Sequence, residues 1–153
     1  MANNLQKSNR RGRIIRYAPL FLWIGVILFL STSQASMSNT SRFFRPLLEF
    51  LFPNTPEEIL IVYHGFLRKL AHLSEYAILA FFAVRAFSSS SVNFLQQYWS
   101  IVSLALVFLV ASLDEYNQSL NPLRTSSIYD VLLDVSGGLL MIIVLRVYRV
   151  YRV

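Results

Sequence analysis

The sequence has no cysteine and is short of charged residues. Of its 153 residues, 14% are charged and 55% are hydrophobic, whereas soluble domains average about 25% charged and about 45–50% apolar residues. The lack of cysteine excludes disulfides and thiolate chemistry, and five Gly with five Pro exclude a collagen-like or low-complexity chain. The composition therefore excludes disorder, a coiled coil and an ordinary water-soluble globule, and it predicts a membrane protein of one domain.

Four apolar segments approach the roughly 20 residues that a membrane-spanning helix needs. They cover residues 17–33, 68–87, 97–113 and 127–147. Ionisable groups lie in the second and fourth segments, and Asp114 and Glu115 bound the third. We therefore predict an all-α membrane protein, a four-transmembrane-helix bundle. It divides into a basic N-terminal arm (1–16), a four-span domain (17–147) and a basic-aromatic tail (148–153).

The basic charge is distributed as the positive-inside rule requires. A net charge of +6 alone would be compatible with nucleic-acid binding. However, nine basic residues and no acid fall on one side of the predicted spans, and five basic residues with all eight acids fall on the other. This asymmetry places both chain ends in the cytoplasm. The charge is thus explained by topology, and no nucleic-acid partner is expected.

The first span has an alternative interpretation as a signal peptide. A basic region precedes the apolar stretch Leu20–Leu30, and small residues follow around Ser33-Gln34-Ala35. These are the three parts of a secretory signal. Cleavage there would remove the first span and leave the topology of the remaining spans unchanged.

The segment between the first two spans predicts a short interfacial helix. Apolar residues recur at helical spacing over 43–52, and charged residues occupy the rest of the helical wheel, as in helices that lie on a membrane surface. Pro53-Asn54 would end this helix. Thr55, Pro56 and Glu58 match a capping box that would start the next one.

Polar residues of three spans fall at one end of the predicted bundle. Lys69, His72 and Tyr76 share a face of the second span, with Glu75 at its flank, and Asp130 and Asp134 are one turn apart on the fourth. The third span ends in Asp114 and Glu115, followed by Gln118, and Arg124 lies in the next loop. Because ionisable groups in spans are costly and usually face a bundle interior or a cavity, this layer is the predicted site.

These residues also form two ordered motifs. The first is Lys69-x-x-His72-x-x-x-Tyr76-x-x-Leu79. The second is Asp114-Glu115-x-x-Gln118-x-x-x-Pro122-x-Arg124, continued by Asp130-x-x-x-Asp134-x-x-Gly137. Together they resemble the signatures of VanZ-like membrane proteins, although many relatives carry Asn where this chain has Asp134. The resemblance implies a multi-pass protein of the bacterial plasma membrane, in a family linked in some members to resistance against glycopeptides of the teicoplanin type.

Three functions remain open for this polar layer. The first is recognition of an anionic envelope component, such as a lipid-linked cell-wall precursor or a lipid headgroup, by Lys69, Arg124 and the other polar groups of the layer. The second is a hydrolase or transferase acting on such a lipid, with His72 as general base and Asp114 or Glu115 as its partner, although no motif position is Ser or Cys. The third is a structural clamp in a partner-binding helper, because buried charges persist when paired. The residues assigned to ligand binding are Lys69, Glu75, Tyr76, Gln118, Arg124, Asp130 and Asp134.

No cofactor and no metal are predicted. A metal site from His72, Glu75 and Asp114 or Glu115 is conceivable, but one histidine is well placed and Lys69 would repel a cation. Gly137 and Gly138 are interpreted as close-packing positions, since small residues let membrane helices approach. His64 lies outside both motifs and is interpreted as structural.

Overall fold

A computed structural model describes the backbone of residues 2–31, 45–120 and 127–151, and the side chains of 12–31, 45–120 and 127–149. The predicted site residue Arg124 and the first residues of the predicted interfacial helix, Phe43 and Phe44, lie outside these ranges. In chain order the described helices are α1 (Ala2–Leu30), α2 (residues 45–51), α3 (Glu57–Ser88), α4 (Asn93–Gln97), α5 (Trp99–Ser119) and α6 (Ile128–Tyr151).

Four of the helices in the described part of the chain are long and apolar enough to cross a membrane. They cover Gly12–Leu30, Glu57–Ser88, Trp99–Ser119 and Ile128–Arg149. Many large apolar side chains on them face outward rather than inward; Phe21 and Ile101, for example, are 67% and 66% exposed. This pattern suits helices surrounded by lipid, which must satisfy their backbone groups internally. The predicted all-helical four-span class is confirmed.

The core lies along α3, which packs against α1, α5 and α6. Its buried face is rich in alanine, with Ala80, Ala83 and Ala86 all fully buried, and such small residues allow membrane helices to approach closely. The core also holds Leu79 and, from α5, Val107.

Two glycines set the position of α6. A Cβ atom built on Gly137 would overlap the backbone carbonyl of Leu73 in α3, and one built on Gly138 would lie 2.7 Å from Val107 Cγ1 in α5. Each glycine therefore lets α6 approach a different neighbour. The interpretation of both as close-packing residues is confirmed.

The two ends of the bundle are defined by contacts between helices. At one end, the Tyr17 hydroxyl lies 2.8 Å from Ser90 Oγ, and the Arg149 guanidinium donates to Ser88 Oγ at 2.5 Å. The start of the first span and the end of the last thus share that end. At the other end, the Ser31 hydroxyl of the chain just after α1 donates to the Asp114 carbonyl oxygen of α5 at 3.3 Å.

Two predicted helix boundaries are wrong. The third span does not end before Asp114, because α5 continues to Ser119 and carries Asp114, Glu115 and Gln118 as buried residues. Hydropathy places an end wherever charges appear, but a helix continues through polar residues when neighbouring helices supply their partners. The capping box is also absent, since Pro56 is the N-cap of α3 and makes no side-chain cap bond.

Helix α2 is tied to the start of α3 by an ion-pair network. Arg45 donates to Glu49 at 2.8 Å and to Glu57 at 2.7 Å, and the Phe52 and Tyr63 rings lie 5.1 Å apart. The hydrogen bond to Glu49, together with the nearby negative charges, raises the pKa of the Arg45 guanidinium above its ordinary value. These pairs are exposed, so they orient the segment more than they stabilise it. The membrane-interface position of α2 stays a prediction.

Candidate functional site

The polar layer surrounds a cavity between α3, α5 and α6. This cavity has a volume of about 200 Å³ and is lined by Gly65, Arg68, Lys69, His72, Glu115, Asp130 and Leu133. Two basic side chains, two acidic ones and an imidazole therefore meet around one opening. Of the predicted ligand-binding residues, Lys69 and Asp130 line it together with the predicted catalytic residues His72 and Glu115.

Beneath the cavity lies a buried cluster, which we define as His72, Asp114 and Asp134. One ligand-type atom from each residue lies within 4.8 Å of the others. His72 Nδ1 is 3.5 Å from Asp134 Oδ1, a contact between an imidazole and a carboxylate that is too long for a good hydrogen bond. Asp134 has no exposed surface and Asp114 is 2% exposed. His72 belongs to both the cluster and the cavity lining, so its side chain connects the two.

Tyr76 fixes one oxygen of the cluster. Its hydroxyl donates to Asp114 Oδ2 at 2.9 Å, and its side chain is completely buried. Tyr76 lies one turn after His72 on α3, so both side chains face α5 and α6. Tyr76 is therefore a hydrogen-bond partner of Asp114 and is not part of the described cavity lining, and its role in ligand binding stays a prediction.

Two further contacts hold the walls of the cavity. Arg68 donates from its Nη2 to Gln118 Oε1 at 3.1 Å, which joins α3 to α5. Glu115 Oε2 accepts the backbone N–H of Ser127 at 3.3 Å, which joins α5 to the start of α6. Ser127 in turn caps α6, because its hydroxyl oxygen accepts the Tyr129 N–H at 3.2 Å. Glu115 therefore has a structural partner in addition to its place at the cavity.

The structure separates some residues that the sequence grouped together. Asp130 lines the cavity, whereas Asp134, one turn further along α6, lies in the buried cluster. Glu75 belongs neither to the cavity lining nor to the cluster, and its backbone carbonyl accepts the Trp23 indole N–H at 2.9 Å. The metal-capable grouping that sequence spacing allowed, with Glu75, is thus replaced by one with Asp134.

Sequence reasoning missed Arg68 and the contribution of the first span. Arg68 is four residues before His72, so helical spacing alone could have placed it on the same stripe as the predicted site. Ser31 and Asn117 carried no such signal: Asn117 donates to Ser31 Oγ at 3.1 Å and so brings the end of the first span to the site. That contact joins residues distant in the chain, and spacing within one helix cannot predict it.

Comparison with protein families agrees with this arrangement. The sequence model of the VanZ/LLP1 family matches residues 17–149, which include the first apolar helix from Tyr17 onward, the other three from Glu57 to Arg149, and every described residue of the cavity and cluster. The chain belongs to the VanZ/LLP1 family. It is a VanZ-like membrane protein by family and by the character of its helices. A search of curated proteins found no match, and neither did a search of solved structures.

Within this VanZ-like fold, the site offers two kinds of chemistry. The cavity presents guanidinium and ammonium groups, which bind phosphate or carboxylate. The cluster presents an imidazole and two carboxylates, which orient a general base or hold a cation. Both kinds of chemistry share His72.

Proposed function

We propose that this VanZ-like protein recognises an anionic component of the cell envelope at the cavity of the polar layer. The ligand is a lipid-linked cell-wall precursor or a lipid headgroup, held at the extracytoplasmic leaflet of the bacterial plasma membrane. Through that binding the protein alters susceptibility to glycopeptides of the teicoplanin type. Its two chain ends lie in the cytoplasm, as the distribution of basic residues favours.

The observation that carries this proposal is the pair of adjacent basic residues at the cavity. Arg68 and Lys69 both line it, and Gln118 holds one guanidinium nitrogen of Arg68 at 3.1 Å. A guanidinium that is already oriented loses less entropy when it binds an oxyanion, and it retains further N–H donors for that purpose. Lys69 is exposed at the rim and adds a second positive charge.

The size of the cavity favours a headgroup over a whole molecule. Its volume of about 200 Å³ is below the ~300 Å³ at which pockets begin to enclose drug-sized ligands. A phosphate or carboxylate with its neighbouring atoms fits such a space, and acyl chains would remain in the bilayer. This supports a ligand that is anchored in the membrane.

A hydrolase or transferase acting on the same class of lipid is the second candidate. It is favoured by the place of His72, which lies between the buried Asp134 carboxylate and the cavity. An imidazole in that position can act as a general base on a water or on a substrate hydroxyl. In this alternative, Arg68 and Lys69 would stabilise the negative charge that develops in the transition state.

Replacement of Arg68 tests the binding proposal. We would purify the wild type and Arg68→Gln from bacterial membranes in mild detergent and record native mass spectra. The wild type should retain an anionic lipid or precursor. The amount retained by Arg68→Gln should be at least ten-fold lower, because a charge-assisted contact is removed. Cells that express the wild type should also differ from Arg68→Gln cells in teicoplanin susceptibility.

Arg85→Gln is the matched control, because Arg85 is an arginine of the same helix at the opposite end. Equal lipid retention by all three proteins would overturn the proposal and favour the clamp in a partner-binding helper. Loss of retention in Arg68→Gln alone supports binding. The enzyme alternative requires in addition that His72→Gln retain the lipid while changing the lipid composition of the envelope.

A further inference from the structure

The buried cluster has the geometry of a cation site. Three helices each contribute one residue, His72 from α3, Asp114 from α5 and Asp134 from α6, and their ligand-type atoms lie within 4.8 Å of one another. Ligands at the corners of a tetrahedron around Zn²⁺ are about 3.3 Å apart, for bonds of about 2.0 Å. Movements of about 1.5 Å would bring the ligand atoms to that spacing.

Four polar atoms of this cluster are buried without a hydrogen bond, although two of them, His72 Nδ1 and Asp134 Oδ1, lie 3.5 Å apart as an imidazole–carboxylate pair. Among the described residues, none hydrogen-bonds to His72 Nδ1, Asp114 Oδ1 or either carboxylate oxygen of Asp134. Buried polar atoms are almost always satisfied, because an unpaired one costs about 1–3 kcal/mol. These atoms belong to the same three residues that face one another, so a single bound ion would satisfy them together.

The charge of the cluster also favours a bound cation. Two carboxylates lie in the interior of an apolar bundle, where uncompensated charge is expensive. The basic residues of the cavity are engaged elsewhere or face outward, since Arg68 donates to Gln118 and the Lys69 side chain is exposed. One divalent cation balances both carboxylates beside a neutral imidazole.

The surroundings of Asp114 are those of an oriented ligand. The Tyr76 hydroxyl donates to Asp114 Oδ2 at 2.9 Å, and Asp114 Oδ1 is buried and makes no hydrogen bond with the described residues. Carboxylates that bind metals are commonly held by such a hydrogen bond on their other oxygen. His72 also lines the adjoining cavity, so the cluster borders on that cavity.

We propose that His72, Asp114 and Asp134 bind one divalent transition-metal ion of the zinc class. An imidazole with two carboxylates suits Zn²⁺ or Mn²⁺ better than Mg²⁺ or Ca²⁺, which prefer oxygen ligands alone. Three protein ligands leave a coordination position for water or a ligand. The metal proposal does not rest on the proposed anion recognition, although His72 belongs to both the cluster and the cavity lining.

The test is metal binding by the full-length protein, purified in mild detergent without a polyhistidine tag. After treatment with a chelator and its removal, Zn²⁺ alone is titrated and followed by calorimetry and native mass spectrometry. The wild type should bind one Zn²⁺, and binding should raise its thermal unfolding temperature. Mg²⁺ and Ca²⁺ at equal concentration should not compete.

Variants one turn apart on α6 provide the matched comparison. Asp134→Leu removes a ligand and should weaken Zn²⁺ binding at least 100-fold, whereas Asp130→Asn removes a charge from the cavity and should keep the 1:1 stoichiometry. Tyr76→Phe retains all three ligands and should bind about 10–100-fold more weakly, which keeps the test valid if Asp134→Leu does not fold. The proposal would be overturned if the wild type took up no Zn²⁺ or if Ca²⁺ displaced the bound Zn²⁺. It would also be overturned if Asp134→Leu and Tyr76→Phe both bound Zn²⁺ as tightly as the wild type does.

Discussion

At the scale of residues, burial rather than residue type determines what each acid does. Asp130 and Asp134 are the same residue type one turn apart, yet Asp130 is half-buried at a cavity and Asp134 has no exposed surface. Helical spacing predicted that they share a face. It could not predict their different depths, because these depend on how far α6 is rotated and tilted against α3 and α5.

The hydrogen bond from Tyr76 to Asp114 should stabilise the chelator-treated protein measurably. We expect Tyr76→Phe to lower the free energy of unfolding in mixed micelles by about 0.6–1.7 kcal/mol, between the average and the largest value measured for polar contacts between membrane helices. Tyr129→Phe is the control, since Tyr129 is 75% exposed, and it should change stability little. Equal losses in the two variants would contradict a specific role for the buried hydroxyl.

At the scale of elements, the approach of α6 to α3 depends on one missing side chain. The Leu73 carbonyl of α3 occupies the space that a Cβ at Gly137 would need. This contact lies one residue from His72 on α3 and three residues from Asp134 on α6. The same close approach therefore brings two members of the cluster together.

The loss of stability on replacing each of three glycines by alanine should follow the space available for the added methyl group. Gly137→Ala should lower stability by about 1–3 kcal/mol, because backbone must move to admit the methyl group. Gly138→Ala should cost less, since Val107 Cγ1 at 2.7 Å belongs to a side chain that can rotate. Gly25→Ala, with nothing within 4 Å, should be neutral or stabilising by up to about 1 kcal/mol. Thermal unfolding in detergent measures all three, and a larger loss in Gly25→Ala than in Gly137→Ala would contradict the packing argument.

The elements themselves were largely predictable from local pattern. Apolar runs and charge asymmetry identified four spans, and motif spacing placed His72, Tyr76 and the two aspartates of α6 toward the bundle interior. The end of α5 was not predictable in this way, because Asp114 and Gln118 continue the helix only where α3 offers Tyr76 and Arg68 as partners. Such partners are distant in the chain, and local propensity carries no information about them.

At the scale of the whole molecule, the bundle has two chemically different ends. The acids of the cavity and the cluster lie at one end, and Arg149, stacked 4.8 Å over the Trp99 ring, lies at the other. Contacts of Tyr17 with Ser90 and of Arg149 with Ser88 place the start of the first span and the end of the last span at the same end of the bundle, so these two spans run in opposite directions. These contacts do not determine which end faces the cytoplasm. The positive-inside rule predicts that the end with Arg149 does.

Single cysteines test that orientation without background, because the chain contains no cysteine of its own. Glu58→Cys and Ser91→Cys are both exposed positions at opposite ends of the bundle. An impermeant maleimide should label Glu58→Cys in intact cells, and it should label Ser91→Cys only after the membrane is opened. The reverse pattern would invert the predicted topology and place the polar cavity in the cytoplasm.

The length of α3 determines how deep the cavity lies. Its 32 residues extend about 48 Å, whereas the hydrocarbon core is about 30 Å thick. About 20 residues counted back from Ser88 bring the opposite boundary close to Arg68, so the first three turns of α3 rise above the acyl chains. Arg68 and Lys69 then stand at the level of lipid phosphates, and a lipid would reach them sideways by diffusion within its leaflet. Occupancy of the cavity by the proposed lipid ligand would thus follow the lateral density of that lipid in the leaflet rather than any concentration in solution.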